Sequence, residues 1–141
     1  MTPDLYAIIG LYAALILGAG ISLWGWLQAR SFLASYSSID SQKDLDEFKR
    51  VVKMNMYLAL GIMSMFGIAF VLAASGLYSG SLGWIGLRML LFIMGPVCAF
   101  AGVAVTSAEN RMKAIKLTDE SFRSEFDHVV ARWTSSAFPD W

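Results

Sequence analysis

The side chains best equipped for chemistry in this chain are sulfur ligands. Met54 and Met56, Met63 and Met65, and Met89 and Met94 are soft thioethers of the kind that bind copper(I), and Cys98 adds a thiol. Their spacing works against a shared ion. Residues two apart on a helix point in different directions, so Met63 and Met65 do not close on one metal, and flexible apolar packing accounts for them better. The only histidine, His128, lies outside every apolar run, which removes the usual axial ligand of haem from those runs. Cys98 has no second cysteine to pair with and reads as a small packing residue. No candidate nucleophile has a base near it in sequence. The expectation is a chain that is not an enzyme and holds no cofactor and no metal.

The elements that must position these residues are apolar helices. Residues 5–29, 54–87 and 89–108 carry no charge, and each contains the roughly 20 residues that an α-helix needs to cross about 30 Å of hydrocarbon. Composition agrees: 57% of the chain is hydrophobic, 16% is charged, and the mean hydropathy is +0.56, outside the range of soluble domains. The predicted fold class is an all-α integral membrane protein with three transmembrane helices at about 5–27, 58–78 and 87–106. A net charge of zero gives no case for nucleic acid as a partner. The first run follows Met1-Thr2-Pro3-Asp4, which lacks the basic n-region of a secretory signal, so it reads as a retained anchor.

Basic residues set the expected orientation. Arg30, Lys43, Lys49, Arg50 and Lys53 separate the first two spans, and Arg111, Lys113, Lys116, Arg123 and Arg132 follow the third. Only Arg88 belongs to the opposite side. The positive-inside bias then predicts a multi-pass protein of the inner membrane, with the N-terminus outside, a short outer turn at 79–83 and the C-terminus cytoplasmic. Tyr6, Tyr78 and Trp84 fall at the outer boundary, and Trp24, Trp26 and Tyr57 at the inner one. Arg88 is the one ionisable group near membrane depth. Its long stem is expected to carry the guanidinium up to lipid headgroups.

Small residues predict where helices meet. Gly10, Ala14, Gly18 and Ser22 recur every four positions on one face, leaving a groove that another backbone can approach closely. The partner is a span of this chain or of another subunit. Gly61, Gly67, Ala69 and Ala73 in the second span, and Gly95, Ala99 and Gly102 in the third, offer matching surfaces. Gly95-Pro96 interrupts the third span. Proline removes a donor and crowds the Phe92 carbonyl, which predicts a kink at Pro96.

Outside the apolar runs, Leu45, Phe48, Val52 and Met56 recur at helical spacing after a plausible cap at Asp40 or Ser41. The second helix should therefore begin near Ser41 and extend about three turns beyond the membrane, with Asp46 and Arg50 as an i,i+4 pair and the serine-rich residues 31–39 as connector. In the tail, Thr118 is a capping hydroxyl ahead of Asp119 and Glu120, and Phe122, Phe126, Val129 and Trp133 then share one face of an amphipathic helix. Asp119, Arg123 and Asp127 supply i,i+4 pairs on its other face. The acids outnumber the bases from Asp119 to Trp133, so this face is expected to dock on protein rather than on lipid. That protein is either the extended second helix of this chain, through Leu45, Phe48 and Val52, or a neighbouring subunit. Phe138 and Trp141 are expected to dock in a pocket as well.

The chain thus divides into residues 1–29 (outer tail and first span), 30–53 (cytoplasmic loop with the helical extension), 54–108 (second and third spans) and 109–141 (cytoplasmic amphipathic tail). Three spans with the N-terminus outside and a charged tail inside resemble the layout of class I phage holins in topology, a likeness that implies a homo-oligomeric pore lined by Ser64, Asn55 and Ser75. The reading preferred over it is a non-catalytic small subunit of a multi-subunit membrane complex, assembled by helix packing and the docking tail. Its partners would be membrane lipids and other subunits or copies of itself.

Overall fold

A computed structural model describes residues 3–136 together with Phe138 and Pro139. Four α-helices carry the fold: α1 (Pro3–Ser35), α2 (Gln42–Tyr78), α3 (Trp84–Lys113) and α4 (Arg123–Ser135). The first three are each long and apolar enough to cross a membrane. Pro96 lies inside α3, which continues on both sides of it.

α1 is the shared wall. It runs antiparallel to α2: Gly10 faces Leu72, Gly18 faces Met65, Ile21 faces Gly61, and Gly25 faces Asn55 and Leu58. It runs parallel to α3: Val97, Ala101 and Val105 border one recess with Ala19 and Ser22, and Ala108 and Arg111 border another with Arg30 and Leu33. At the end that carries the α2–α3 turn, Leu11, Ala14 and Leu15 of α1 pack in one buried cluster with Ala69 of α2, Leu82 of the turn and Leu90 of α3. The turn closes where Gly80 takes φ +77°, a left-handed conformation that suits glycine, and the Leu82 N–H donates to the Gly76 carbonyl at 3.0 Å.

At the basic end a second core draws on every element. Phe32 of α1, Leu45, Phe48 and Val52 of α2, Met112 of α3, and Phe126 and Val129 of α4 are all buried. Between them lies a feature the sequence did not announce. Ser38–Ile39 (β1) pairs in parallel with Lys116–Leu117 (β2), in the register Ser38 to Lys116 and Ile39 to Leu117. The pairing is parallel because each strand follows a helix running the same way, β1 after α1 and β2 after α3.

The helix boundaries correct two expectations. Residues 31–35 are helical, not connector, because burial of Phe32 against Phe48 and stacking on Tyr36 outweigh the weak helix preference of serine. α3 likewise continues to Lys113, so residues 109–113 belong to it and not to the tail. α2 does begin after Ser41, whose hydroxyl accepts from the Asp44 N–H.

Candidate functional site

The small-residue stripe of α1 is built into the α1–α2 contact. Ala14 and Gly18 are buried, and a Cβ placed on Gly10 would stand 3.2 Å from the Leu72 side chain, tighter than ordinary contact. Ser22 lies on the same line and donates to the Gly18 carbonyl at 3.0 Å, so its hydroxyl is satisfied within the helix. Gly25 extends the stripe by one position beyond those singled out from sequence. A Cβ there would come within 2.9 Å of the Asn55 Oδ1, and the Asn55 Nδ2 beside it is buried without a hydrogen-bond partner. The signal was present in the spacing of Gly18, Ser22 and Gly25, at i, i+4 and i+7.

α3 shows the opposite arrangement. Gly95, Ala99 and Gly102 are exposed, and nothing lies within 4 Å of a Cβ built on Gly95 or Gly102. On the same side Phe92 and Val103 stand 84% and 70% exposed. The structure therefore separates the two predicted small-residue surfaces, one covered by this chain and one left open.

Gly102 stands at the border between this open face and a recess of about 230 Å³ against α1 and α2, where Ser22, Cys98, Thr106 and Glu109 supply the polar atoms among apolar walls. Glu109 was missed as a site residue because it lies past the charge-free run. Its position eleven residues after Cys98 and seven after Gly102 puts all three on one face. One carboxylate with a thiol and two hydroxyls makes a polar lining, and no group of three or more His, Cys, Asp or Glu that could hold a metal occurs among the described residues. Arg88 stands exposed in the second turn of α3.

The tail is placed on this chain itself. Phe126 and Val129 are buried, and Phe48 packs its ring against Phe126 at 4.9 Å and edge-on to Trp133 at 6.5 Å. Phe122 lies partly buried on the same core, and Lys113 places its ammonium 4.7 Å from the Trp133 ring centroid. Of the two partners the sequence left open for this face, the extended second helix of the same chain occupies it, through Leu45, Phe48 and Val52. Phe138 corrects a further expectation: it is exposed, because a local turn, in which Ser136 Oγ accepts from the Phe138 N–H at 3.3 Å, ends the helix with the ring facing out. Trp141 lies outside the described residues.

Polar groups lock this end. Lys49 of α2 bonds Glu125 of α4. Thr118 donates its hydroxyl to Asp40, and its N–H donates to the Ile39 carbonyl, so β2 is tied to β1 from both main chain and side chain. These hydroxyl bonds, from Thr118 and then Ser38, hold the Asp40 carboxyl below its ordinary range. Asp119, not Thr118, caps the turn into α4, accepting from the Ser121 N–H at 2.8 Å, and that bond lowers its carboxyl too. The i,i+4 pairs expected of Asp46 and Arg50, and of Arg123 with Asp119 and Asp127, are replaced by Glu47 with Arg50 and Glu120 with Arg123 at i,i+3. The longer glutamate stem reaches the guanidinium fork where aspartate falls short, and Arg123 grips both Glu120 oxygens at 2.7 and 2.9 Å.

No family model, curated protein or solved structure matches this chain. The reading of its role rests on which surfaces it covers and which it leaves open.

Proposed function

We propose that this chain is a non-catalytic subunit of a multi-subunit membrane assembly, with its basic end in the cytoplasm and α3 as the partner-facing helix. The observation that carries this reading is the open face of α3, where Gly95, Ala99 and Gly102 form a shallow groove flanked by Phe92 and Val103. Large apolar side chains alone are satisfied by lipid. A groove of small residues is different, because its gain comes from close approach of another backbone, which acyl chains do not supply. The tail acts inside the chain in this reading: α4 caps the aromatic core and holds α1, α2 and α3 together at one end, so that α3 presents a fixed face.

The Lys/Arg bias supports the cytoplasmic placement of the basic end, and cysteine labelling tests it. A cysteine at Ser41 should resist an impermeant reagent added from the outer side. The role itself is tested by extraction in mild detergent followed by mass measurement of the intact particle. Several kinds of chain in fixed ratio are expected. A particle built only of this chain would replace the proposal with the homo-oligomeric pore.

A further inference from the structure

Two neighbouring recesses are lined by α1 and α3 alone and share Trp26 and Ala104 in their walls. The first, of about 400 Å³, is almost wholly apolar, with Gly20, Leu23, Val97 and Phe100 among its walls. The second, of about 420 Å³, adds Ser107 and two guanidinium groups, Arg30 and Arg111. Arg30 stacks over Trp26 at 5.1 Å from the ring centroid. Among the described residues no carboxylate pairs with Arg30 or Arg111. An apolar recess therefore borders two like charges that have no carboxylate partner among the described residues, at the level where α1 and α3 leave their charge-free runs.

We propose that this slot binds an anionic phospholipid, one acyl chain lying between α1 and α3 and the phosphate lying with Arg30 and Arg111, where Ser107 is a further donor. Two cations lining one recess repel each other unless an anion joins them, and guanidinium is the side chain best shaped to grip phosphate oxygens. A basic pocket between membrane helices at the positively charged side is the physical setting in which acidic headgroups bind. A partner helix would have to bring its own acid to the same depth, whereas a lipid carries charge and apolar length in one molecule. The headgroup end adjoins the open face of α3, because Ser107 and Arg111 also line a shallower recess with Ala99, Gly102 and Val103, whereas the apolar slot lies on the side of α3 that turns Val97, Ala101 and Ala104 toward α1.

The test uses the full chain in detergent micelles containing phosphatidylglycerol and phosphatidylcholine of identical acyl chains, with bound lipid counted by native mass spectrometry. The wild-type chain is expected to retain phosphatidylglycerol in preference, and Arg30→Gln with Arg111→Gln to weaken that retention by about thirtyfold, from roughly fivefold per basic residue. Lys43→Gln with Lys53→Gln, which removes two exposed charges of α2 outside the slot, should leave it unchanged. Millimolar inorganic phosphate should not displace the lipid. Arg30→Lys with Arg111→Lys should keep the preference if the glutamine pair does not fold. Equal retention of both lipids by the wild type, equal losses in the arginine and lysine pairs, or displacement by phosphate alone would each overturn the proposal.

Discussion

The two ends of this molecule solve burial in different ways. At the basic end Leu45, Phe48 and Met112 are each 0% exposed, although the surrounding sequence is charged. Along the apolar helices Phe92, Phe100 and Phe70 are 84%, 78% and 75% exposed, although almost nothing around them is polar. In water an exposed aromatic is costly, so the charged segments had to complete a core from within the chain, using α4 and the β1–β2 pair. In hydrocarbon the same exposure costs little, so the long helices need bury only what gains from close backbone contact. The α1 stripe makes such a contact inside the chain. The α3 groove makes none within the chain, and in the proposed assembly it makes one outside.

The comparison is broken most forcefully at Phe48, the ring on which Phe32, Phe126 and Trp133 converge. Phe48→Ala should cost about 3–5 kcal/mol, the range for emptying a buried aromatic site. Limited proteolysis would show the tail cleaved from α4 onward while circular dichroism keeps the signal of the long helices. Gly18→Leu acts in the other region. A bulky side chain against Met65 should cost about 1–3 kcal/mol by overpacking, read as earlier unfolding in a denaturant titration, with the tail still protected. Unchanged unfolding would remove the stripe from the account of α1–α2 packing.

Smaller effects sharpen the picture at the basic end. Glu125→Gln removes the link to Lys49 across α2 and α4, and its partly exposed setting limits the loss to about 1 kcal/mol or less. Acid should act on the strand pair. The Asp40 carboxyl is lowered in the folded chain, so its contribution is present above the ordinary carboxylate pKa of about 4 and is lost as pH falls through the lower folded value. Protection of the Thr118 amide against hydrogen exchange, taken relative to the unfolded-chain rate at each pH, should therefore fall below about pH 4. Asp40→Asn should abolish that acid dependence.

The long elements were legible in the sequence because their signal is carried by runs of residues. Three charge-free stretches define α1, α2 and α3, and the hydroxyl of Ser41 marks where α2 starts. The α4 stripe was legible from the spacing of Phe122, Phe126, Val129 and Trp133, but its partner was left open between Phe48 of this chain and another subunit, since a helix pattern records an apolar face without recording what covers it. The β1–β2 pair was not legible. Two strands of two residues have no periodicity, and Ser38 and Lys116 are poor β formers whose pairing follows from the parallel course of α1 and α3. Arg30 and Arg111 were read only as orientation signals, because their meeting in one recess depends on how α1 and α3 pack.

The central claim is that the tail finishes its burial within the chain while α3 does not. A photo-crosslinking side chain placed at Phe92 in one sample and at Phe126 in another, activated in intact membranes, tests both halves at once. The account predicts a covalent adduct to a second polypeptide from position 92, and from position 126 only links within the chain, to the segment around Phe48. Adducts to another polypeptide from 126, with position 92 yielding lipid adducts alone, would contradict it.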